Sequence, residues 1–530
     1  MNTSPDPRQR WTSVLSLAWF LVLIAPAALT LSASDTWDLD PTQLLLASAW
    51  SLICLRLVLP QRVFLVLTYP VALFGIACVA ADFLRNVNLL ELAAAWNTYS
   101  MADVADATTP YRAGFAVAAL ALAVLCGLAL RASRGPGHPA RVRWLAAIAG
   151  TAGLALLLPG ATWPRAWPIN AGLVGAAFAT KTPALARQST PVMLASPRQP
   201  HASWSAARAN ASSVRQTSVL LIGESVRSDF LHECGGPAQV RAVHAGAVVA
   251  CDVTAGADAT HTSVPLLISR EWPGHGARVS EDGTFQRAFE EAGFRTYWFS
   301  TQGQPLAWPD ATTQDYPVGG DADTLLPLLE RTLAAGDGAA SMVLHAYGAH
   351  APYCSRFATK LAACPLSPDG PTRDNIGQWR AAYAGAVDAS VGFLNEVIVR
   401  LERVPGEVFL AYTPDHGENL LDDARGLYGH ALRHPTVWDS QVPAVFWANA
   451  AWKAAHPKQW AQLQANARAP LMHADLVPTM LAAAQVRYQE TQRPAADLLD
   501  GPVPQRQRVV QKAIGATSSW EALQLEAAAR

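Results

Sequence analysis

Charge is what this sequence has least of. Asp, Glu, Lys and Arg make up 15% of its 530 residues, against about 25% in an ordinary soluble protein. Apolar residues reach 51%, which excludes a disordered chain and argues against a wholly soluble one. A basic excess is missing too: 40 Lys+Arg stand against 41 Asp+Glu, so no positive field points to nucleic acid. Lysine is absent from residues 1–160 altogether, whereas the remainder has an ordinary mixed composition. The length is roughly three to four domains' worth at ~150 residues each, and the split reads as a membrane portion joined to a soluble one.

Five stretches are long and apolar enough for a hydrocarbon core, which takes about 20 helical residues. They are 11–34, 41–61 (interrupted by Arg56), 63–81, 113–130 and 144–164. The first also carries a passable signal-peptide cleavage site, Ser32-Ala33-Ser34, but its apolar run is long for one. Loop charges set the orientation. Arg8, Arg10, Arg56, Arg62, Arg131, Arg134, Arg141 and Arg143 fall on one side, and Arg85 and Arg112 on the other, among Asp35, Asp38, Asp40, Asp82, Glu91, Asp103 and Asp106. The N-terminus is therefore expected in the cytoplasm, and five crossings place everything after residue 164 outside.

Cysteine usage agrees with export. Cys54, Cys78 and Cys126 lie in apolar spans, where a thiol serves as a small hydrophobe. The outer part has Cys234, Cys251, Cys354 and Cys364, an even number suited to two disulfides in an oxidising compartment. Of three connectivities, the local pairs Cys234–Cys251 and Cys354–Cys364 are favoured. Metal-ligating thiolates are disfavoured because no C-x-x-C pair occurs.

Residues 165–215 are rich in Pro, Ala, Ser and Arg, as expected of a linker over the membrane surface, with 171–181 able to form an interfacial helix. Trp163 and Trp167 sit where an aromatic belt would be. From 216 onward, β-rich runs alternate with helical patterns. Strands are expected at 217–222, 295–300, 341–346 and 407–412, and helices at 284–293, 322–334 and 376–402. That alternation argues an α/β domain with a largely parallel, doubly covered sheet. Ligands collect at the carboxyl ends of such strands.

Those ends carry chemistry. Gly223-Glu224-Ser225 follows the first strand, Tyr347-Gly348-Ala349-His350 the 341–346 strand, and Thr413-Pro414-Asp415-His416-Gly417-Glu418 the 407–412 strand. Glu224, Asp415 and His416 together offer a hard-to-borderline cation two oxygens and one nitrogen, about what an open catalytic site needs. Any one strand-end polar residue could instead cap a neighbouring helix.

Gly223-Glu224-Ser225-Val226-Arg227, Thr260-His261-Thr262-Ser263-Val264-Pro265, Gly348-Ala349-His350 and Asp415-His416-Gly417-Glu418 closely resemble the phosphoethanolamine transferases. These are inner-membrane enzymes of the alkaline phosphatase/sulfatase superfamily, among them lipid A modifiers that confer polymyxin resistance. The resemblance covers nearly the whole chain. It implies a five-helix transmembrane domain (1–164), the linker (165–215), and a periplasmic catalytic α/β domain of sulfatase/alkaline phosphatase type with a mostly parallel sheet (216–530). It also implies a metal held by Glu224, Thr260, Asp415 and His416, with Thr260 as the nucleophile. His350 and His430 resemble the family's two substrate-side histidines, which hold the phosphoryl group or protonate a leaving group. Three oxygens and one nitrogen also suit manganese, so zinc rests on the resemblance.

A threonine hydroxyl is a weak nucleophile until a bound dication acidifies it. The implied reaction is ping-pong transfer of phosphoethanolamine from phosphatidylethanolamine, through an ester on Thr260, to lipid A, lipopolysaccharide core or another envelope glycan. Some residues depart from the family pattern. His261 stands where many lipid A enzymes have alanine, as a tolerated variation or a further metal or phosphate contact. Trp298-Phe299-Ser300-Thr301-Gln302 looks closer to the branch acting on lipopolysaccharide core or other glycans. Glu418 is expected to orient His416, to bind the ethanolamine ammonium, or simply to support the site's ligands from behind, the last being favoured. His345 is expected behind the site; His434, four residues after His430, suits a metal pair on a helix face, but Pro435 favours a loop there. The alternatives are a membrane-anchored phosphoglycerol transferase or a sulfatase-like hydrolase of the same superfamily. A sulfatase would mature a Cys or Ser in C/S-x-P-x-R, and none occurs near 260. A non-catalytic sensor is disfavoured because the constellation is complete.

Overall fold

The computed structural model describes residues 7–27, 41–85, 112–132, 148, 203–209, 214–274, 283–302, 310–317, 322–336, 338–351, 353–354, 366, 370–432, 434–489, 495–511 and 517–529. The chain divides into two compact units, Met1–Ser189 and Thr190–Arg530.

The first unit contains four described apolar helices: α1 (Pro7–Pro26), α2 (Pro41–Val58), α3 (Gln61–Arg85) and α4 (Arg112–Ala132). As helices they coincide with the first four stretches singled out in the sequence; the fifth, 144–164, lies outside the described residues except for Ile148. Trp19, Leu23, Leu52, Phe64, Leu65, Leu122 and Cys126 form their shared core. Polar ties between them include Trp19 Nε1 donating to Thr68 Oγ1 (2.9 Å), Gln61 Nε2 to Ser16 Oγ (3.1 Å) and Tyr69 OH to the Ala119 carbonyl (2.9 Å). Val14, Leu17, Leu21, Val66, Leu67, Val117, Leu120 and Val124 point outward and are more than half exposed. An outer face this apolar suits lipid better than water.

The second unit is built on an eight-stranded sheet. Its strands are β1 (Gln216–Gly223), β2 (Val248–Thr254), β3 (Arg295–Ser300), β4 (Thr313–Asp315), β5 (Ala340–His345), β6 (Glu407–Pro414), β7 (Gln441–Ala448) and β8 (Leu471–Met472). Their spatial order is β8-β2-β7-β6-β1-β5-β3-β4. Only β7 runs against its two neighbours, so the sheet is mixed rather than wholly parallel. β1 is buried along its whole length, as its unbroken apolar run requires. Leu220 and Ile222 pack on one face with Phe285, Phe289 and Met480, while Val219 and Leu221 pack on the other with Val387, Leu394 and Ile398. The helices supplying these layers include α5 (Thr260–Leu267), α6 (Phe285–Glu291), α7 (Leu325–Ala334), α8 (Ile376–Leu401) and α9 (Leu476–Ala483).

Among the described residues, α8 is the one helix that passes a length-and-hydropathy test for crossing a membrane, yet it is mostly buried. It covers the sheet through Tyr383, Val387, Val391, Leu394 and Ile398, the face expected from their spacing. Cys234 and Cys251 form a disulfide that ties β2 to the loop after β1. Cys354 is disulfide-bonded as well; Cys364, its expected partner, lies outside the described residues.

Candidate active site

All the strands of the sheet except β7 run in one direction, so their carboxyl ends gather along one edge. Glu224 leaves β1, Gln302 follows β3, His350 follows β5, and Asp415 and His416 leave β6. Thr260 is the first residue of α5, reached from β2 through a short loop. His430 ends a small hairpin pairing Asn419–Leu420 with Tyr428–Gly429.

Local structure aims each group. Ser225 adopts a left-handed backbone, φ 57°, an uncommon conformation for a residue other than glycine. Tyr383 OH, donating to the Ser225 carbonyl at 2.5 Å and accepting from Arg227 N–H at 2.9 Å, clamps that turn. The turn leaves Glu224 facing Thr260. Gly348 passes so close that a Cβ there would lie 2.6 Å from the Glu224 nitrogen, and its own φ is +39°. Gly348→Ala is therefore expected to destabilise the protein by about 2–3 kcal/mol. It should reduce activity further still, because the clash falls on Glu224 itself. Denaturant unfolding and turnover measured on the same preparation check both effects.

Thr260 Oγ1 lies 3.2 Å from Glu224 Oε2 and 3.2 Å from His416 Nε2. His416 Nε2 is 3.3 Å from Glu224 Oε1 and 3.4 Å from Asp415 Oδ2. His416 Nδ1 is directed at the Gly417 carbonyl (2.8 Å), which leaves Nε2 as the site-facing nitrogen. Asp415 Oδ1 accepts backbone N–H groups from Ser225 (3.2 Å) and His416 (2.8 Å). Its Oδ2, by contrast, is buried and accepts no hydrogen bond among the described residues. Burial pulls the His416 pKa down, but the Asp415 and Glu224 carboxylates outweigh it and hold the imidazole at about 9. Two buried carboxylates thus converge on a point that demands positive charge. One oxygen is unsatisfied, and ligand atoms of Glu224, Asp415 and His416 lie within 4.8 Å of one another. With Thr260 Oγ1 beside them, these donors fit a divalent cation of the zinc or manganese kind.

A second group, Glu224, His350 and His430, meets the same distance criterion. His350 Nδ1 is turned to the Ala351 carbonyl at 2.5 Å, and His430 Nδ1 to Glu418 Oε2 at 2.7 Å. The rings of His416 and His430 lie 4.1 Å apart between centroids, tilted by 38°, and His350 meets His430 edge-on at 5.3 Å. All six expected residues therefore converge. Of the roles expected for Glu418, the supporting one is what the contacts show: it braces His430, because the hairpin brings His430 back over it. Glu418 is itself held by Tyr353 OH (2.9 Å), and burial raises its pKa to about 7. His345 sits behind the site against Ser300 Oγ (3.2 Å), kept neutral by burial that lowers its pKa to about 4. His261 is likewise lowered to about 4, first by burial and then by His416 and His430. His434 lies on a loop, as Pro435 implies.

Sequence reasoning assigned no role to Gln302, whose Nε2 donates to Glu224 Oε2 (2.7 Å) and to the Ala346 carbonyl (3.2 Å). It also missed Ser263, whose hydroxyl ties α5 to the Asp415 carbonyl at 2.5 Å. Gln302 stands within a stretch that the family resemblance singled out, so its place after β3 was the available signal.

The sulfatase family model matches residues 216–486, just over half of the chain, a stretch that includes every residue of this site. The chain belongs to the sulfatase family. Solved structures extend the likeness to its fold. The integral membrane protein lipooligosaccharide phosphoethanolamine transferase A (EptA) from Neisseria meningitidis superposes with a TM-score of 0.65 at 19% identity, covering 92% of this chain and 98% of that one. The C-terminal periplasmic domain of EcEptC from Escherichia coli, solved as a complex with Zn, superposes with a TM-score of 0.51 at 17% identity, covering 61% of this chain and 97% of that one. No curated protein matches by sequence. At such identities the structural likeness speaks for the fold, and the sulfatase-family site speaks through its own geometry.

Proposed function

We propose that this chain is an inner-membrane phosphoethanolamine transferase. Residues 1–164 anchor it, 165–215 link, and 216–530 form the periplasmic catalytic domain. The donor is phosphatidylethanolamine and the acceptor an envelope glycolipid or glycan such as lipid A or lipopolysaccharide core. The observation that carries this reading is Thr260 Oγ1 held 3.2 Å from both Glu224 Oε2 and His416 Nε2 at the positive end of α5, where a phosphoryl anion is favoured.

Glu224, Thr260, Asp415 and His416 would hold a zinc ion, which when bound lowers the pKa of the hydroxyl and neutralises phosphoryl charge. Thr260 Oγ1 forms the new bond to phosphorus, and the bond from phosphorus to the glycerol oxygen breaks. Diacylglycerol leaves with a proton supplied by His350 or His430, whose Nδ1 atoms are turned to the Ala351 carbonyl and to Glu418 Oε2. An acceptor hydroxyl oxygen then attacks phosphorus, the bond from phosphorus to Thr260 Oγ1 breaks, and the proton the acceptor gives up is returned to Thr260. Confinement to the membrane keeps the enzyme where donor lipid is concentrated.

Diacylglycerol release by the full chain tests the donor. Release from phosphatidylethanolamine vesicles is expected to exceed that from phosphatidylglycerol vesicles by at least about tenfold. The reverse preference would replace this reading with phosphoglycerol transfer.

A further inference from the structure

The last thirty residues carry no motif and lie beyond the matched sulfatase region, which ends at residue 486. We infer that residues 506–511 and 517–528 form a clasp that holds the Thr260 loop against the loop of Asp415, His416 and Glu418, making these C-terminal segments a positioning element of the transfer site. The inference rests on the reading of Thr260 as nucleophile.

The two loops need such a link. Thr260 is reached from β2 and Asp415 from β6, but β7 lies between those strands in the sheet, so no ladder joins them directly. The direct ties include the Ser263 hydroxyl on the Asp415 carbonyl and the Ala255 N–H on the Ser440 carbonyl (2.8 Å).

One end of the clasp grips the nucleophile's loop. Gln511 N–H donates to the Gly256 carbonyl (2.9 Å), and Gln511 pairs with Ala257 as an isolated parallel bridge. Gln511 Oε1 accepts from Gly274 N–H at 2.8 Å. Arg508 reaches Asp252 on β2 at 2.5 Å, and its guanidinium lies 5.1 Å from the Trp520 ring. Gln511 is buried, although it is polar and close to the chain's end.

The other end grips the ligand loop. The hairpin of Val509–Gln511 with Thr517–Ser519 leads into α10 (Trp520–Ala528). Val510, Trp520 and Leu523 form a small core packed on Val437. Glu526 pairs at 2.9 Å with Arg425, which also holds Asp423. Val437 belongs to a short turn, Val437–Ser440, fixed by a capping box between Thr436 and Asp439. That turn in turn accepts the N–H groups of Gly417 (to the Asp439 carbonyl, 2.8 Å) and Glu418 (to the Trp438 carbonyl, 3.0 Å). A shift at either end of the clasp therefore moves Thr260 relative to His416, and misplacement by about 1 Å can cost roughly 10²-fold in rate.

The test uses the full chain in phosphatidylethanolamine mixed micelles with zinc, reading the single-turnover rate of Thr260 esterification at saturating donor. Gln511→Pro removes the N–H to Gly256, and Glu526→Ala removes the surface tie to Arg425 without disturbing the core. Gln511→Pro is expected to slow esterification by about 10- to 100-fold and Glu526→Ala by about 3- to 10-fold. Half-saturating donor concentration and zinc stoichiometry should stay within about threefold, a split that a general loss of folding would not produce. Should Gln511→Pro not fold, Glu526→Ala decides alone, with Glu526→Asp expected to restore part of the rate. Wild-type rates in the folded variants would overturn the inference. Absence of esterification in the wild-type chain would instead overturn the nucleophile reading on which it rests.

Discussion

Thr260→Ala should lower phosphoethanolamine transfer by roughly 10⁴- to 10⁶-fold, the scale on which an enzyme loses rate with its nucleophile. Fold is not at risk. Thr260 is partly exposed, begins its helix, and its hydroxyl bonds only within the site, so its loss should alter stability by no more than about 1 kcal/mol. Thr260→Ser keeps the oxygen but loses the methyl that restricts χ1. It should retain activity at about a tenth of the wild-type rate, because the nucleophile then spends less time aligned. Turnover of phosphatidylethanolamine by the three proteins checks the order. Equal rates in Thr260→Ala and wild type would remove Thr260 from the mechanism.

Asp415→Asn should separate metal binding from folding. Two buried carboxylates, Asp415 and Glu224, face one imidazolium at His416. Replacing one carboxylate by an amide leaves a one-to-one pair. The amide oxygen keeps the backbone N–H groups of Ser225 and His416 that Asp415 Oδ1 accepts. Oδ2 accepts no hydrogen bond that would be lost. Metal-free Asp415→Asn is therefore expected within about 1 kcal/mol of metal-free wild type. Zinc at a hundred to a thousand times its dissociation constant should stabilise the wild type by about 3–4 kcal/mol and the variant hardly at all. Thermal melts of chelator-treated protein, with and without added zinc, read both quantities. An equal zinc-induced shift in both proteins would place the cation elsewhere.

The strands that place this site were readable because they are buried on both faces. β1, β5 and β6 are buried almost throughout, β3 begins with an exposed Arg295 and was marked by its aromatic run Tyr297-Trp298-Phe299, and the structure has all four within two residues of the expected bounds. β2 and β7 escaped for different reasons. β2 is interrupted by Cys251 and Asp252, which serve the disulfide and the Arg508 pair. β7 contains Pro443, which ordinarily argues against a central strand. Here the register shifts between Val442 and Ala444, and the Pro443 carbonyl accepts from Thr413 Oγ1 at 2.9 Å, so the irregularity absorbs the proline.

Glu224, Asp415 and His416 were legible as carboxyl-end residues. His350 was legible as a strand-end imidazole too, and its role came from the family resemblance; Thr260 and His430 needed the resemblance altogether, because nothing in local spacing says that a helix start and a hairpin end will meet. Gln302, the Glu418–His430 pairing and the C-terminal clasp depend on contacts between segments far apart in sequence. Their hydrogen-bonding partners exist only once the sheet has brought its strand ends together.

The most direct test of the central claim is mass spectrometry of the Thr260 peptide after the full, zinc-loaded chain meets phosphatidylethanolamine without acceptor. A phosphoethanolamine ester on Thr260, absent from Thr260→Ala and discharged when lipid A or lipopolysaccharide core is added, is the predicted result. An unmodified Thr260 in folded, zinc-loaded protein that still releases diacylglycerol would contradict it.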